Sequence, residues 1–460
     1  MNRIAKRAWA LLALIALLLG GTGFFLGEYL LKADDWVSHT GSPHLSASSG
    51  LNTGTVVDRE GTVLMTLGKE LTYAESKNLR KSTIHWLGDR QGKIPATVIS
   101  NYADEMSNYN IFNGLYNYSD QPGTIELTLS AEVQKAAVKA MGDKKGVIAV
   151  YNYKTGQILC SVTTPTYDPD DPPKLTEEEL DSNEAYDGLY WNRFTRSTYS
   201  PGSIFKVATA AAALESIDDI QEQTFICTGR LEYGPDAVTC ENAHGEVTLK
   251  KALAKSCNCA FAQIAGQLGK GKLQSYMNKF GVANSVTFDG VTTRAGNFDL
   301  SGAAQVDAAW AAIGQYTDLI NPASYMTFMG TIAGGGTAAE PYIVSRVASG
   351  GETVYEARTK QTDRTMSAET AAVLAELMAN NVTASYGSSN FPGLTVCAKS
   401  GTSQVGGEKT SNALFAGFVA DEEYPLAFIV VVENGGYGAS TCVPILSKVL
   451  SVCKTEMNKL

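Results

Sequence analysis

The chain has 460 residues, 44% of them hydrophobic, and a formal net charge of −10. That length allows two or three domains with a sizeable core. The acidic balance argues against a nucleic-acid partner, because a phosphate backbone calls for an excess of Lys and Arg.

Arg3, Lys6 and Arg7 precede an apolar run from Ala8 to Gly27, and Glu28, Asp34 and Asp35 follow it. A run of that length crosses a bilayer as a helix. Basic residues ahead of the span put the N-terminus in the cytoplasm and the bulk of the chain outside the cell membrane. The segment lacks a clean A-x-A cleavage site, so an uncleaved single-pass anchor is expected in preference to a signal peptide. Ser38 to Gly54 is rich in Ser, Thr and Gly and reads as a tether.

Thr55 to Val57 and Thr62 to Leu64, joined by Asp58-Arg59-Glu60-Gly61, read as a hairpin. The rest of this region is mixed and polar, with Tyr and Asn clustered at 108–118. The expected division is an anchor over 1–30, a small accessory module over 31–123 and a catalytic unit over 124–460. The catalytic unit opens on a strand at 125–129 and a helix capped by Ser130 that runs to Met141. A strong hairpin, 147–153 with 157–162, turns at Lys154-Thr155-Gly156. An acidic, Pro-containing loop with one short helix occupies 166–187. Helices follow at 247–256, 259–280, 306–315, 322–334 and 367–382. Strands follow at 394–404, 413–420 and 426–432, and an amphipathic helix at 445–458. Strands at both ends of a helical block predict an α/β (α+β) unit with one sheet covered by helices.

Eight cysteines stand at 160, 227, 240, 257, 259, 397, 442 and 453. None has C-x-x-C spacing, so neither zinc nor a thioredoxin-like site is expected. Cys227 and Cys240 flank a Gly-containing loop, and a disulfide there stays open. Small buried thiols are the plainer expectation, for Cys397 as well. His244 is expected to pack a turn.

Three short patterns carry chemistry. Ser203-Ile204-Phe205-Lys206 follows Tyr199-Ser200-Pro201-Gly202 and leads into an apolar run from Val207 to Leu214. Ser200 suits an N-cap and Pro201 the first turn. Ser203 and Lys206 then share one helix face. Burial of the helix mouth favours a neutral lysine, which can take the proton of Ser203. Lys255-Ser256-Cys257-Asn258-Cys259 falls where one helical segment ends and another begins, so Ser256 and Asn258 can project into a cleft. Ala398-Lys399-Ser400-Gly401-Thr402 lies in a strand, where Gly401 lets a substrate backbone approach. Each pattern alone is weak. Ser451-Val452-Cys453-Lys454 also reads S-x-x-K, Lys154-Thr155-Gly156 also reads K-[ST]-G, and Ser388-Ser389-Asn390 also reads S-x-N. The order S-x-x-K, S-x-N, K-[ST]-G, each in a fitting element, is far more specific.

On these motifs the chain resembles a class B penicillin-binding protein. The likeness extends to Asn192-Arg193, Pro165 to Pro169, Cys227, Cys240, His244-Gly245, Ile313-Gly314-Gln315, Asn321-Pro322 and Asp58 to Gly61. It implies the penicillin-binding, serine β-lactamase-like transpeptidase fold: an antiparallel sheet covered by helices plus an all-helical subdomain, behind a small N-terminal module. It implies acyl transfer on peptidoglycan stem peptides ending in D-Ala-D-Ala, inhibition by β-lactams, a glycan polymerase partner, and neither cofactor nor metal. Ser203 would be the nucleophile, Lys206 the base and Ser256 a proton relay. Asn258 would hold Lys206 and the substrate amide. The backbone N–H groups of Ser203 and Thr402 would form the oxyanion hole, and Lys399, Ser400, Gly401 and Thr402 would bind the substrate's end. Departures are the short 66–123 region and Asn412-Ala413-Leu414-Phe415 where relatives often carry an aromatic pair. The sequence upstream is too short for a glycosyltransferase module. Rival expectations are a β-lactamase or β-lactam sensor, for which no group that activates deacylating water is evident, and a catalytically idle wall-synthesis scaffold.

Overall fold

The computed structural model of the protein describes residues 2–38, 54–68, 71–102, 109–110, 115–116, 123–404 and 410–459. The tether expected between Ser38 and Gly54 lies outside them, as does most of the Tyr- and Asn-rich stretch. The first helix, Asn2–Ser38, contains the apolar span Ile4–Tyr29, of mean hydropathy 2.2 and not buried against the rest of the chain.

The catalytic unit is built on a five-stranded antiparallel sheet in the order Val396–Ser403, Asn412–Val419, Leu426–Val432, Gly146–Asn152, Ile158–Thr164. Successive side chains of a strand point to opposite faces, and here both faces are covered. Leu414, Ala416, Ile429 and Val431 pack with Phe205, Tyr325 and Phe328. Phe415, Phe428 and Val430 pack with Val133, Leu446 and Val449 on the other side. A strand covered twice reads as an unbroken apolar run, as in Leu426–Val432. The first face receives the segment Gly202–Phe205 and the helices Pro322–Ala333 and Ala368–Asn381, with Lys206–Ser216 packed on Ala368–Asn381 and Asn258–Phe280 packed on Lys206–Ser216. The second receives Ala131–Met141 and Gly438–Met457.

A second sheet has six strands, in the order Glu352–Glu356, Val344–Ser349, Gly123–Leu127, Gly54–Val57, Val63–Leu67, Leu71–Tyr73. It takes strands from both sides of the division drawn at 123/124. Asp58 strengthens the tie. Its Oδ2 accepts from the N–H of Ala131 at 2.8 Å, so the helix Ala131–Met141 is capped from the hairpin. Ser130, the expected cap, makes no side-chain cap bond, and its hydroxyl is buried without a partner. The helix Lys77–Leu87 then docks on the helix Ala131–Met141 and on the loop at Asp168: Gln134 Nε2 donates to the Ser82 carbonyl at 2.9 Å, and Arg80 grips Asp168 through two bonds of 2.6 and 2.7 Å.

Two small hairpins were not expected from the sequence. Thr224–Cys227 pairs with Gly245–Thr248, and Arg230–Tyr233 pairs with Asp236–Thr239. Their strands are only four residues long, so neither hydrophobic period is long enough to register.

Candidate active site

The segment Gly202–Phe205 forms a 3₁₀ turn that runs directly into the helix Lys206–Ser216. Gly202 has φ of 53°, a conformation open to glycine at little steric cost. The turn is held from three sides. The N–H of Gly202 donates to the Gly314 carbonyl at 2.9 Å, Tyr325 Oη donates to the Ile204 carbonyl at 2.7 Å, and Thr209 Oγ1 donates to the Ala312 carbonyl at 2.6 Å. Ser200 is not the cap expected of it: its hydroxyl donates to the Gly314 carbonyl at 3.1 Å. Ser203 is thereby fixed at the start of the helix and stays partly accessible.

Lys206 is fully buried, and its Nζ is 3.0 Å from Ser203 Oγ. It also lies 2.7 Å from the Ser256 carbonyl oxygen, 3.1 Å from Ser256 Oγ and 2.6 Å from Asn258 Oδ1. Burial lowers its pKa to about 7, and the positive charge of Lys399 acts in the same direction. The contacts then have a simple reading. Ser256 O and Asn258 Oδ1 can only accept. A neutral amine uses its two N–H bonds on them and keeps its lone pair for a hydroxyl proton.

Both acceptors are presented by the junction between the helices Leu249–Ala254 and Asn258–Phe280. Ser256 stands there with φ of 54°, an uncommon conformation for a residue with a side chain. Asn258 Nδ2 donates to the Thr239 carbonyl at 2.8 Å, which fixes the orientation of its amide.

The strand Val396–Ser403 packs against the serine turn. A Cβ at Gly401 would come within 2.8 Å of the Pro201 carbonyl oxygen and 3.1 Å of Ile204 Cγ2. The missing side chain therefore makes room for the protein's own serine turn. Lys399 is buried. Its Nζ donates to the Ser400 carbonyl at 2.8 Å, and burial lowers its pKa to about 7. Gln315 Nε2 donates to the Thr402 carbonyl at 3.3 Å, and Thr402 Oγ1 accepts from the N–H of Gly438 at 3.3 Å. Tyr386 Oη accepts from the N–H of Ser400 at 2.9 Å and is 3.0 Å from its hydroxyl. Sequence reasoning missed Tyr386 and Tyr325, since no local spacing marks a tyrosine that acts across the fold. Ser203, Lys206, Ser256, Asn258 and the strand 399–402 thus surround one locus. The second S-x-x-K copy, Ser451 to Lys454, lies in the last helix.

The thiols bring a result the spacing rule did not anticipate. Ligand atoms of Cys227, Cys240, His244 and Cys257 lie within 4.8 Å of one another, so these four residues could hold a metal. All eight cysteines are free in this structure, including Cys227 and Cys240. The ligands are separated by 12, 3 and 12 residues, which no C-x-x-C search detects. Cys397, by contrast, is a core thiol, pushed up to about 12 by burial.

Comparison with known proteins gives the same fold. Residues 146–451 match the penicillin binding protein transpeptidase domain. The peptidoglycan D,D-transpeptidase PbpA of Mycolicibacterium smegmatis is 30% identical over 347 residues, which cover 68% of this chain and 68% of that protein. Among solved structures, the penicillin G acyl-enzyme complex of penicillin-binding protein A from M. tuberculosis aligns with a TM-score of 0.73 at 22% identity, over 87% of this chain and 99% of that one. PBP2 of Helicobacter pylori, in complex with MreC, aligns with a TM-score of 0.62 at 22% identity, over 73% of this chain and 65% of that one.

Proposed function

The chain belongs to the class B penicillin-binding proteins, and on that premise we propose how its own residues carry out acyl transfer. It is a serine D,D-transpeptidase that β-lactams acylate. The observation that carries the assignment of roles is the set of contacts at Lys206 Nζ.

The donor is a peptidoglycan stem peptide ending in D-Ala-D-Ala. Ser203 Oγ attacks the penultimate carbonyl carbon while its proton passes to the lone pair of Lys206. The new ammonium is stabilised by the Ser256 carbonyl and Asn258 Oδ1, already in hydrogen-bond reach. The oxyanion is met by the N–H groups of Ser203 and Thr402, each such donor being worth ~3 kcal/mol in the transition state. Ser256 Oγ, 3.1 Å from Nζ, relays a proton to the departing D-Ala amine. An amine from a neighbouring strand then attacks the ester carbonyl and gives its proton to Lys206, which returns it to Ser203 Oγ as the ester C–O bond breaks and the cross-link closes. The hydroxyls of Ser400 and Thr402 hold the terminal carboxylate, with the charge of Lys399 behind them. Tyr386 keeps Ser400 in position.

The functional division is an anchor over 1–30, an accessory module over 31–123 and a transpeptidase over 124–460. Arg3, Lys6 and Arg7 keep the N-terminus cytoplasmic and the catalytic unit outside the membrane. The partner class is a glycan polymerase that delivers uncross-linked strands.

The test uses full-length protein in detergent and a fluorescent penicillin. Covalent label accumulates on Ser203, survives denaturation and is lost in Ser203→Ala. Rapid release of hydrolysed drug would make the chain a β-lactamase instead. Unlabelled wild-type protein would make it a scaffold.

A further inference from the structure

We propose that Cys227, Cys240, His244 and Cys257 form a structural zinc site that fastens the two small hairpins beneath the Ser256–Asn258 junction. His244 Nδ1 lies 3.6 Å from Cys227 Sγ and 3.4 Å from Cys240 Sγ, and the four ligand atoms lie within 4.8 Å of one another. Zinc takes thiolate at ~2.3 Å and imidazole at ~2.0 Å in a tetrahedron, whose edges are then about 3.5–3.8 Å. The two distances from His244 Nδ1 sit at that size, and the remaining pairs lie within 4.8 Å. A disulfide accounts for two of the thiols and leaves a third thiol and an imidazole facing it.

The ligands come from separate elements that the fold brings to one point. Cys227 ends the strand Thr224–Cys227, where it pairs with Gly245, so His244 arrives beside it. Cys240 follows the strand Asp236–Thr239, and its N–H donates to the Gly229 carbonyl at 2.9 Å. Cys257 is the N-cap of the helix Asn258–Phe280. Backbone donors already face the sulfurs: the N–H of Asn258 is 3.3 Å from Cys240 Sγ, and the N–H of Ala260 is 3.4 Å from Cys257 Sγ. Such N–H···S bonds favour metal-bound thiolates. Three sulfurs and one imidazole suit zinc better than calcium or magnesium, and four protein ligands leave no open position for a reacting water. On binding, the three thiols release their protons and the dication sits among three thiolates and a neutral imidazole.

The site has a structural reason and a functional one. Two-stranded hairpins are marginal alone, and a metal adds to what the buried Phe225, Val238 and Val247 supply. Cys257 also stands between Ser256 and Asn258, the residues that hold Lys206. The metal thereby acts as a positioning device for them. Metal binding is independent of the transpeptidase reading; only its effect on acylation rests on that reading.

The experiment uses full-length protein purified in detergent under reducing conditions without a histidine tag, then incubated with zinc and freed of excess by gel filtration. One zinc per chain is expected by elemental analysis. His244→Ala and Cys240→Ser should lose it, His244→Cys should retain it, and Ser203→Ala should retain it while failing to label. Removing zinc with a chelator should slow acylation by fluorescent penicillin about tenfold, the low end for disturbing a metal's surroundings, and zinc but not magnesium should restore the rate. If the variants fail to fold, cobalt(II) added to chelated wild-type protein should give thiolate charge-transfer bands and tetrahedral d–d bands. Wild-type protein that takes up neither zinc nor cobalt overturns the site, as does a Cys227–Cys240 disulfide in protein taken directly from membranes. Zinc at full occupancy with no label on Ser203 would overturn the transpeptidase reading and leave the metal site standing.

Discussion

Lys206 is a base because of what surrounds it. Burial withdraws water from the amine, and two acceptor-only oxygens take the two protons a neutral amine still carries. The direction of its pH dependence follows. The group's pKa is lowered from 10.5 to about 7, so the reactive neutral form grows as pH rises. The second-order rate of acylation should climb about tenfold per pH unit well below neutrality and level off above it, as one ionisation requires. A rate that stays flat from mildly acid to mildly alkaline solution would exclude Lys206 as the titrating base. Stability carries the matching sign. Between about 7 and 10.5 the unfolded chain binds more protons at this lysine than the folded one, so this contribution to stability rises with pH.

At the scale of elements, the active centre is a contact between a turn and a strand. The serine turn presses on Val396–Ser403 where Gly401 has no side chain. Gly401→Ala puts a methyl group 2.8 Å from the Pro201 carbonyl oxygen, and one of the two elements must move. Displacement by about 1 Å can reduce a rate ~100-fold, so acylation should fall by that order while circular dichroism is preserved. An unchanged rate would mean that the separation of turn and strand does not govern the chemistry. This contact also marks the limit of what the sequence discloses. The serine helix was legible because its apolar run is long, and the strands Asn412–Val419 and Leu426–Val432 because burial on both faces leaves them unbroken. The pressing of Pro201 on Gly401 was not legible, since nothing local distinguishes a glycine that admits substrate from one that admits the protein's own backbone. The hairpins at 224–248 were too short to show a period, so the gathering of four ligand residues stayed hidden too. The last helix begins at Gly438, ahead of the expected start at 445, and carries Pro444 within it.

Over the whole molecule, the accessory part and the catalytic part are joined by charge as well as by strand pairing. Arg80 binds Asp168 with side-chain exposures of 14% and 7%, between the exposed and the fully buried case. Arg80→Ala should therefore lower the unfolding free energy by about 2 kcal/mol, between the values for those two cases. Thermal melts of wild type and variant at neutral pH check this, and equal midpoints would make the pair incidental. The hydrogen bond from Arg80 is the main cause holding Asp168 below its ordinary pKa of 3.8, against burial. The tie is thus intact at neutral pH and weakens only as acid protonates Asp168 below that value. The 66–123 region, unlike a long pedestal in sequence, contributes a docked helix whose Trp86 is buried beside Phe194 and Phe288.

One property of the central sheet reaches further. Val396–Ser403 is its outermost member and, among the described residues, has a hydrogen-bonded neighbour on one side only. On that open side the side chains of Asn381, Tyr386, Lys399 and Gln315 bond the strand's outward backbone groups, so a visiting peptide that adds as a further strand, gripped through amides that every peptide possesses, replaces them. Selectivity then falls on the visitor's terminus, not on the side chains preceding it. Variation in those side chains should be tolerated, and so should any small rigid amide that copies the terminus. The tolerance that lets such an enzyme join diverse strands is therefore also its opening to antibiotics.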